Sequence, residues 1–110
     1  MVSDASDDRL AIFNASRPAL RMQIEPLSED QKLWSSSRRE LLAVKTGLRQ
    51  QGHLLQRAEK GYKTVFWVTD NMNVTTFMEK GSSKRPILED ILEIYSLTTS
   101  LRLDLSLIHI

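Results

Sequence analysis

Asp4, Glu40 and Asp70 are the residues of this chain on which chemistry could be built. Asp4 stands in the opening Met1–Ser6 run, Glu40 in Ser35–Val44, and Asp70 at the end of Lys63–Asp70. Each falls at the end of an expected strand or in the first turns of an expected helix. Acids placed there can converge on one crevice while their apolar neighbours build the core. Oxygen ligands suit magnesium or manganese. Two such ions roughly 3.5–4 Å apart stabilise both the attacking and the leaving oxygen when a phosphodiester is hydrolysed. Taken singly, each acid has a plainer role: Asp4, Asp7 and Asp8 as solvated turn residues, Glu40 as a helix-capping acid, and Asp70 as the cap of the next helix. Their joint placement favours the metal-binding reading.

The elements that must position them can be read in order. Met1–Ser6, Leu10–Asn14 and Ala19–Ile24 are short apolar or alternating runs, separated by Asp7-Asp8-Arg9 and Ala15-Ser16-Arg17-Pro18, and read as three strands joined by tight turns. Pro26 to Trp34 is a polar connection. Ser35-Ser36-Ser37 then offers a helix cap, with Glu40 as the capping-box partner of Ser37, and a long helix is expected from about Ser36 to Gln56. Gly61 closes the following loop, and Lys63–Thr69 is a strand rich in β-branched and aromatic residues. A short helix from Asn71 to Glu79, the Gly81-Ser82-Ser83 loop, and a helix with Pro86 in its first turn ending near Ser100 come next. Leu101–Ile110 alternates as a strand does.

Tight turns make the first three strands an antiparallel meander, whereas helical crossovers favour parallel pairing of the later ones. With the first strand pointing up, the long helix starts at the top and the fourth strand ends there with Asp70. Asp4, Glu40 and Asp70 are therefore expected at one end, where open α/β sheets bind ligands.

On the long helix Leu41, Val44, Leu48 and Leu55 form a sheet-facing stripe bordered by Glu40. Gly47 lies beside it, read either as permitting close approach of helix and sheet or as a tolerated helix glycine. Arg38, Lys45 and Arg49 cluster on another face as a basic ridge, read either as a solvated face or as a phosphate track. Trp34 and Trp67 are expected in core or edge packing, His53 on the surface, and His109 as a packed strand residue.

The chain has 110 residues, 41% of them apolar, enough for one core. No cysteine is present, which excludes disulfides, thiolate zinc sites and cysteine nucleophiles and agrees with an intracellular setting, cytoplasmic or nuclear. No apolar run approaches the roughly 20 residues of a membrane span, and the acidic start is unlike a signal peptide. Without a secretory signal, the sequon matches at Asn14 and Asn73 are expected to be chance. The net charge of +1 hides a segregation: residues 31–63 hold eight bases against two acids, while the segments on either side are acidic. A polyanion would be drawn to that middle segment.

Val2-Ser3-Asp4-Ala5-Ser6, Ser35 to Val44 around Arg38-Arg39-Glu40, and Val68-Thr69-Asp70-Asn71-Met72-Asn73-Val74 follow one another at spacings that resemble a known family. It is the ribonuclease H domain of retroelement (retrotransposon) reverse transcriptases, and the closing Leu105-Ser106-Leu107-Ile108-His109-Ile110 looks like that family's last strand. The resemblance covers essentially the whole chain. It implies an α/β, ribonuclease-H-like mixed five-stranded sheet with flanking helices. It also implies an endonuclease that hydrolyses the RNA strand of RNA–DNA hybrids with Mg2+ or Mn2+. Asp4 would bridge both metals, and Glu40 and Asp70 would complete one site. The 2′-hydroxyl would distinguish RNA from DNA, and Arg38, Lys45, Arg49 and Asn71 would meet the nucleic acid. A polymerase domain of a reverse transcriptase is a further expected partner.

Two departures accompany the resemblance. Asp7-Asp8-Arg9-Leu10 lacks the glycine usual in the first turn of retroelement domains. The family pattern also continues into a helix bearing a fourth catalytic Asp, for which Asp104, inside a strand, is no substitute. The expectation for residues 1–110 is thus a single domain, C-terminally incomplete and lacking that helix. The alternative is a non-catalytic module of the same fold that binds nucleic acid or packs against a polymerase.

Overall fold

A computed structural model describes residues 1–14, 23–55, 63–81 and 85–109. Its elements run β1 (Val2–Ala5), β2 (Arg9–Phe13), β3 (Gln23–Pro26), α1 (Glu29–Lys32), α2 (Ser36–Leu55), β4 (Lys63–Thr69), α3 (Met72–Lys80), α4 (Arg85–Leu101) and β5 (Leu103–His109). The expected α/β order holds, with local differences. The polar connection after Pro26 contains the one-turn helix α1, closed by a capping box between Ser28 and Gln31. Helix α2 is capped two residues earlier than expected: Ser35 Oγ accepts from the Arg38 N–H at 3.3 Å, which frees Glu40 from a capping role. Helix α4 runs through Leu101, so β5 starts at Leu103. His109 is exposed at the strand end rather than packed. Residues 19–22, Gln56, Gly61 and Ser82-Ser83, and the side chains of His53 and Leu55, lie outside the described residues.

The sheet order is β3-β2-β1-β4-β5. β1 pairs antiparallel with β2, and β2 with β3, while β4 is parallel to both β1 and β5. Val2 lies opposite both Phe13 and Val68. Because β1 and β4 are parallel neighbours in that register, Asp4 and Asp70, each two residues further on, emerge at the same end.

Alternation in β4 assigns the two faces. Val65, Trp67 and Thr69 are buried, whereas Thr64 and Phe66 are exposed. The buried side packs against α2, α3 and α4. Its core joins Ile12, Leu41, Val44, Leu48, Val65, Trp67, Val74, Ile91 and Ile94, so the predicted stripe on α2 is core as far as it is described. A Cβ on Gly47 would come within 2.6 Å of the Trp67 ring; glycine there lets α2 lie against the strand that ends at Asp70. The Trp67 indole N–H donates to Ser3 Oγ at 2.7 Å, satisfying two buried polar groups at once. Among the described residues no helix is long and apolar enough to cross a membrane.

Candidate metal centre

Three elements deliver one carboxylate each: Asp4 from β1, Glu40 from the second turn of α2, and Asp70 from the residue after β4. One oxygen from each lies within 4.8 Å of the others. Asp4 and Asp70 are exposed, and Glu40 is only 5% exposed. A cleft of about 170 Å³ between β1 and β4, lined by Val2, Ser3, Asp4, Val68, Thr69 and Asp70, opens beside them.

The local backbone holds the acids in place. The Ala5 N–H is shared, donating to Asp4 Oδ1 and to Glu40 Oε1, each at 2.9 Å. At the other side Asn71 caps α3, its side chain accepting from the N–H groups of Asn73 and Val74. Asn73 Nδ2 donates to Ser37 Oγ at 3.0 Å and ties the start of α3 to that of α2. Asp70 is thereby fixed against Glu40 through neighbouring residues.

Glu40 Oε2 is buried and has no hydrogen-bond partner. Burial, outweighing the stabilising Ala5 N–H, pushes the carboxyl up to about 8, and Asp4 and Asp70 push in the same direction. None of the three acids forms an ion pair with a described residue. A buried, unpartnered carboxylate oxygen facing two more carboxylates costs stability unless a proton or a cation compensates it. Hard divalent ions take such all-oxygen donor sets at 2.0–2.6 Å, so the residues present fit one.

The basic ridge is placed differently from an open track. Arg38 Nε lies 3.2 Å from Asp90, Lys45 Nζ lies 3.1 Å from both Asp90 and Glu93, and Arg49 pairs with Glu93. Lys45 and Asp90 are buried, and Arg38 also covers the Trp34 ring at 3.4 Å from its centroid. All three cations thus face α4, and only Arg49 keeps about half of its side chain exposed. The Asn71 side-chain oxygen is occupied by the cap.

The sequence reading did not anticipate the shared Ala5 N–H or the Ser37–Asn73 bridge, which have no signature in residue type. Asp90 did carry one: it stands among the buried Ile87, Ile91 and Ile94 of α4. No family model matches the chain, and no curated protein matches it significantly.

Proposed function

We propose that this chain is a metal-dependent nuclease domain of the ribonuclease H type, as in retroelement reverse transcriptases, acting on the RNA strand of RNA–DNA hybrids. The observation that carries the reading is the convergence of Asp4, Glu40 and Asp70 within 4.8 Å around an unpartnered, buried oxygen of Glu40. The mixed sheet in the order β3-β2-β1-β4-β5, with parallel β1 and β4 bringing two of the acids together, supports it.

Asp4, Glu40 and Asp70 would hold magnesium or manganese, which when bound supplies charge stabilisation to the attacking and leaving oxygens of a phosphodiester. The chain's own contribution is positional. The Ala5 N–H orients two of the acids, and the Asn71 cap with the Ser37–Asn73 bridge orients the third. The exposed edges of Asp4 and Asp70 leave the cleft open to a polymer. Contacts to the hybrid from the basic ridge fall chiefly to Arg49, because Lys45 and Arg38 are engaged with α4. An intracellular setting and a neighbouring polymerase domain belong to the same reading.

Manganese titration followed by thermal melting, with cleavage of a labelled hybrid in parallel, tests it. Manganese should raise the melting temperature of the wild type, and Asp70→Asn should remove most of that rise and the cleavage with it. Equal stabilisation of wild type and variant would remove the metal site. A metal response that depends on Asp70, without cleavage, would select the non-catalytic nucleic-acid-binding module instead.

A further inference from the structure

The two edges of the sheet are protected very differently. β3 is four residues long, carries Glu25 and ends on Pro26, and its Gln23 and Glu25 side chains are tied to Gln51 and Gln50 of α2. Short length, charge and proline are the usual devices that stop an edge from pairing with another chain. β5 is neither short nor ended by proline. It is seven residues long, Leu103–His109, is hydrogen-bonded on one side to β4, and has no described strand on the other. Its one carboxylate is Asp104, and no proline or bulge interrupts its continuous register with β4.

A groove of about 300 Å³ runs along this open edge, between β5 and the helices, with Met78, Glu79, Tyr95, Thr98, Leu105 and Leu107 among its lining. Leu105 and Leu107 are only partly buried against the core. A strand added beside β5 would place alternate side chains over this groove.

We propose that the added strand is β5 of a second copy, paired antiparallel about a two-fold axis at Ser106, so that one sheet runs through both molecules. The strand is complementary to itself in that register. Leu105 meets Leu107 of the partner subunit twice, on the groove side. Asp104 meets the partner's Ile108, so the two aspartates are not opposed, and the serines meet at the axis. Such cross-strand apolar and hydroxyl pairs stabilise antiparallel sheets, and directly opposed like charges destabilise them. An isologous contact of this kind closes on itself and does not propagate into a fibre. The acid cluster is left accessible, because β1 and β4 meet away from the added strand.

Sedimentation equilibrium of the full chain, up to about 100 μM, reads the association directly. Ser106 lies on the sheet face opposite the helices, between Asp104 and Ile108, and tolerates charge without entering the core. Ser106→Lys and Ser106→Glu should each weaken the dimer by at least about tenfold, since each puts like charges face to face at the axis. Mixing the two variants should restore dimerisation as a heterodimer, which no general loss of folding could produce. Ile24→Lys on β3 should leave association unchanged. A chain that stays monomeric throughout this range overturns the proposal. So does a dimer that survives both Ser106 substitutions, which would place the contact on the open sheet face or another surface.

Discussion

Glu40 joins two demands that conflict until something compensates them. Its Oε1 accepts the Ala5 N–H, while its Oε2 is buried without a partner beside Asp4 and Asp70. Burial, then the two neighbouring acids, lift the folded carboxyl from 4.5 to about 8. The folded chain therefore holds a proton that the unfolded chain has released. Between about pH 4.5 and 8 the native state binds more protons than the unfolded one, so this residue makes stability fall as pH rises, the loss being complete above about 8. Glu40→Gln keeps the acceptor for Ala5 and removes the titration. The variant should melt higher than the wild type at pH 8, differ little from it near pH 4.5, and lose the stabilisation by manganese. Metal uptake by the wild type should also expel the proton, so apparent affinity should climb with pH and level off above about 8. Melting curves across pH, with calorimetry in buffers of different ionisation enthalpy, measure both effects. Equal pH slopes in wild type and Glu40→Gln would contradict the assignment.

Helices α2 and α4 are locked together by charges that pair between them. Lys45 reaches Asp90 and Glu93, and Asp90 also takes the Arg38 guanidinium. Removing one member of a buried pair typically costs about 3–5 kcal/mol, because the other charge is left uncompensated. Arg38 remains beside Asp90, so Lys45→Met should cost about 3 kcal/mol, at the lower end of that range. Adding Asp90→Leu should recover part of the loss, since an apolar pair replaces the ionic one without a desolvation penalty while Arg38 gives up its carboxylate. Urea midpoints of the two singles and the double variant give the coupling energy, and additive losses would show that the pair does not act as a unit. The strands and long helices themselves were legible from periodicity, because apolar residues recur at two-residue spacing in Lys63–Thr69 and at helical spacing in α2. Gly47 was legible only in part: residue type admits both a close approach and a tolerated helix glycine, and the Trp67 ring against it decides for the first. The surroundings of the ridge were not legible, because helical spacing shows that Arg38, Lys45 and Arg49 share a face without revealing what covers it. The cover is α4, and the signal was Asp90 among isoleucines. The cap at Ser35 is not legible from sequence, because three consecutive serines offer equivalent hydroxyls and residue type cannot choose between them.

At the scale of the molecule the described helices cover one face of the sheet, and this follows from the order of the elements. Helix α2 in one crossover and α3 with α4 in the next pack on the same side, leaving Val2, Phe13, Val68 and Ile108 in a row across four neighbouring strands on the other, as the registers of β1, β2, β4 and β5 require. Phe66 sits beside that row and is 59% exposed, while Trp67, the next residue, is fully buried against Gly47 and Ser3. Two adjacent aromatics in one strand thus report on opposite faces. Trp67→Thr should cost about 3–5 kcal/mol, since it empties the space over Gly47 and strips Ser3 of its donor. Phe66→Thr should cost less than about 1 kcal/mol, because threonine keeps the strand propensity and little buried area is lost. The same substitution should leave the manganese response intact, as Phe66 touches none of the three acids' supports, and should leave β5-mediated dimerisation intact, as that contact lies at the sheet edge. Denaturation of both variants at one concentration, with and without manganese, makes the comparison. A Phe66→Thr loss approaching that of Trp67→Thr would mean that the open face is buried in solution, by a second copy or by another part of the chain.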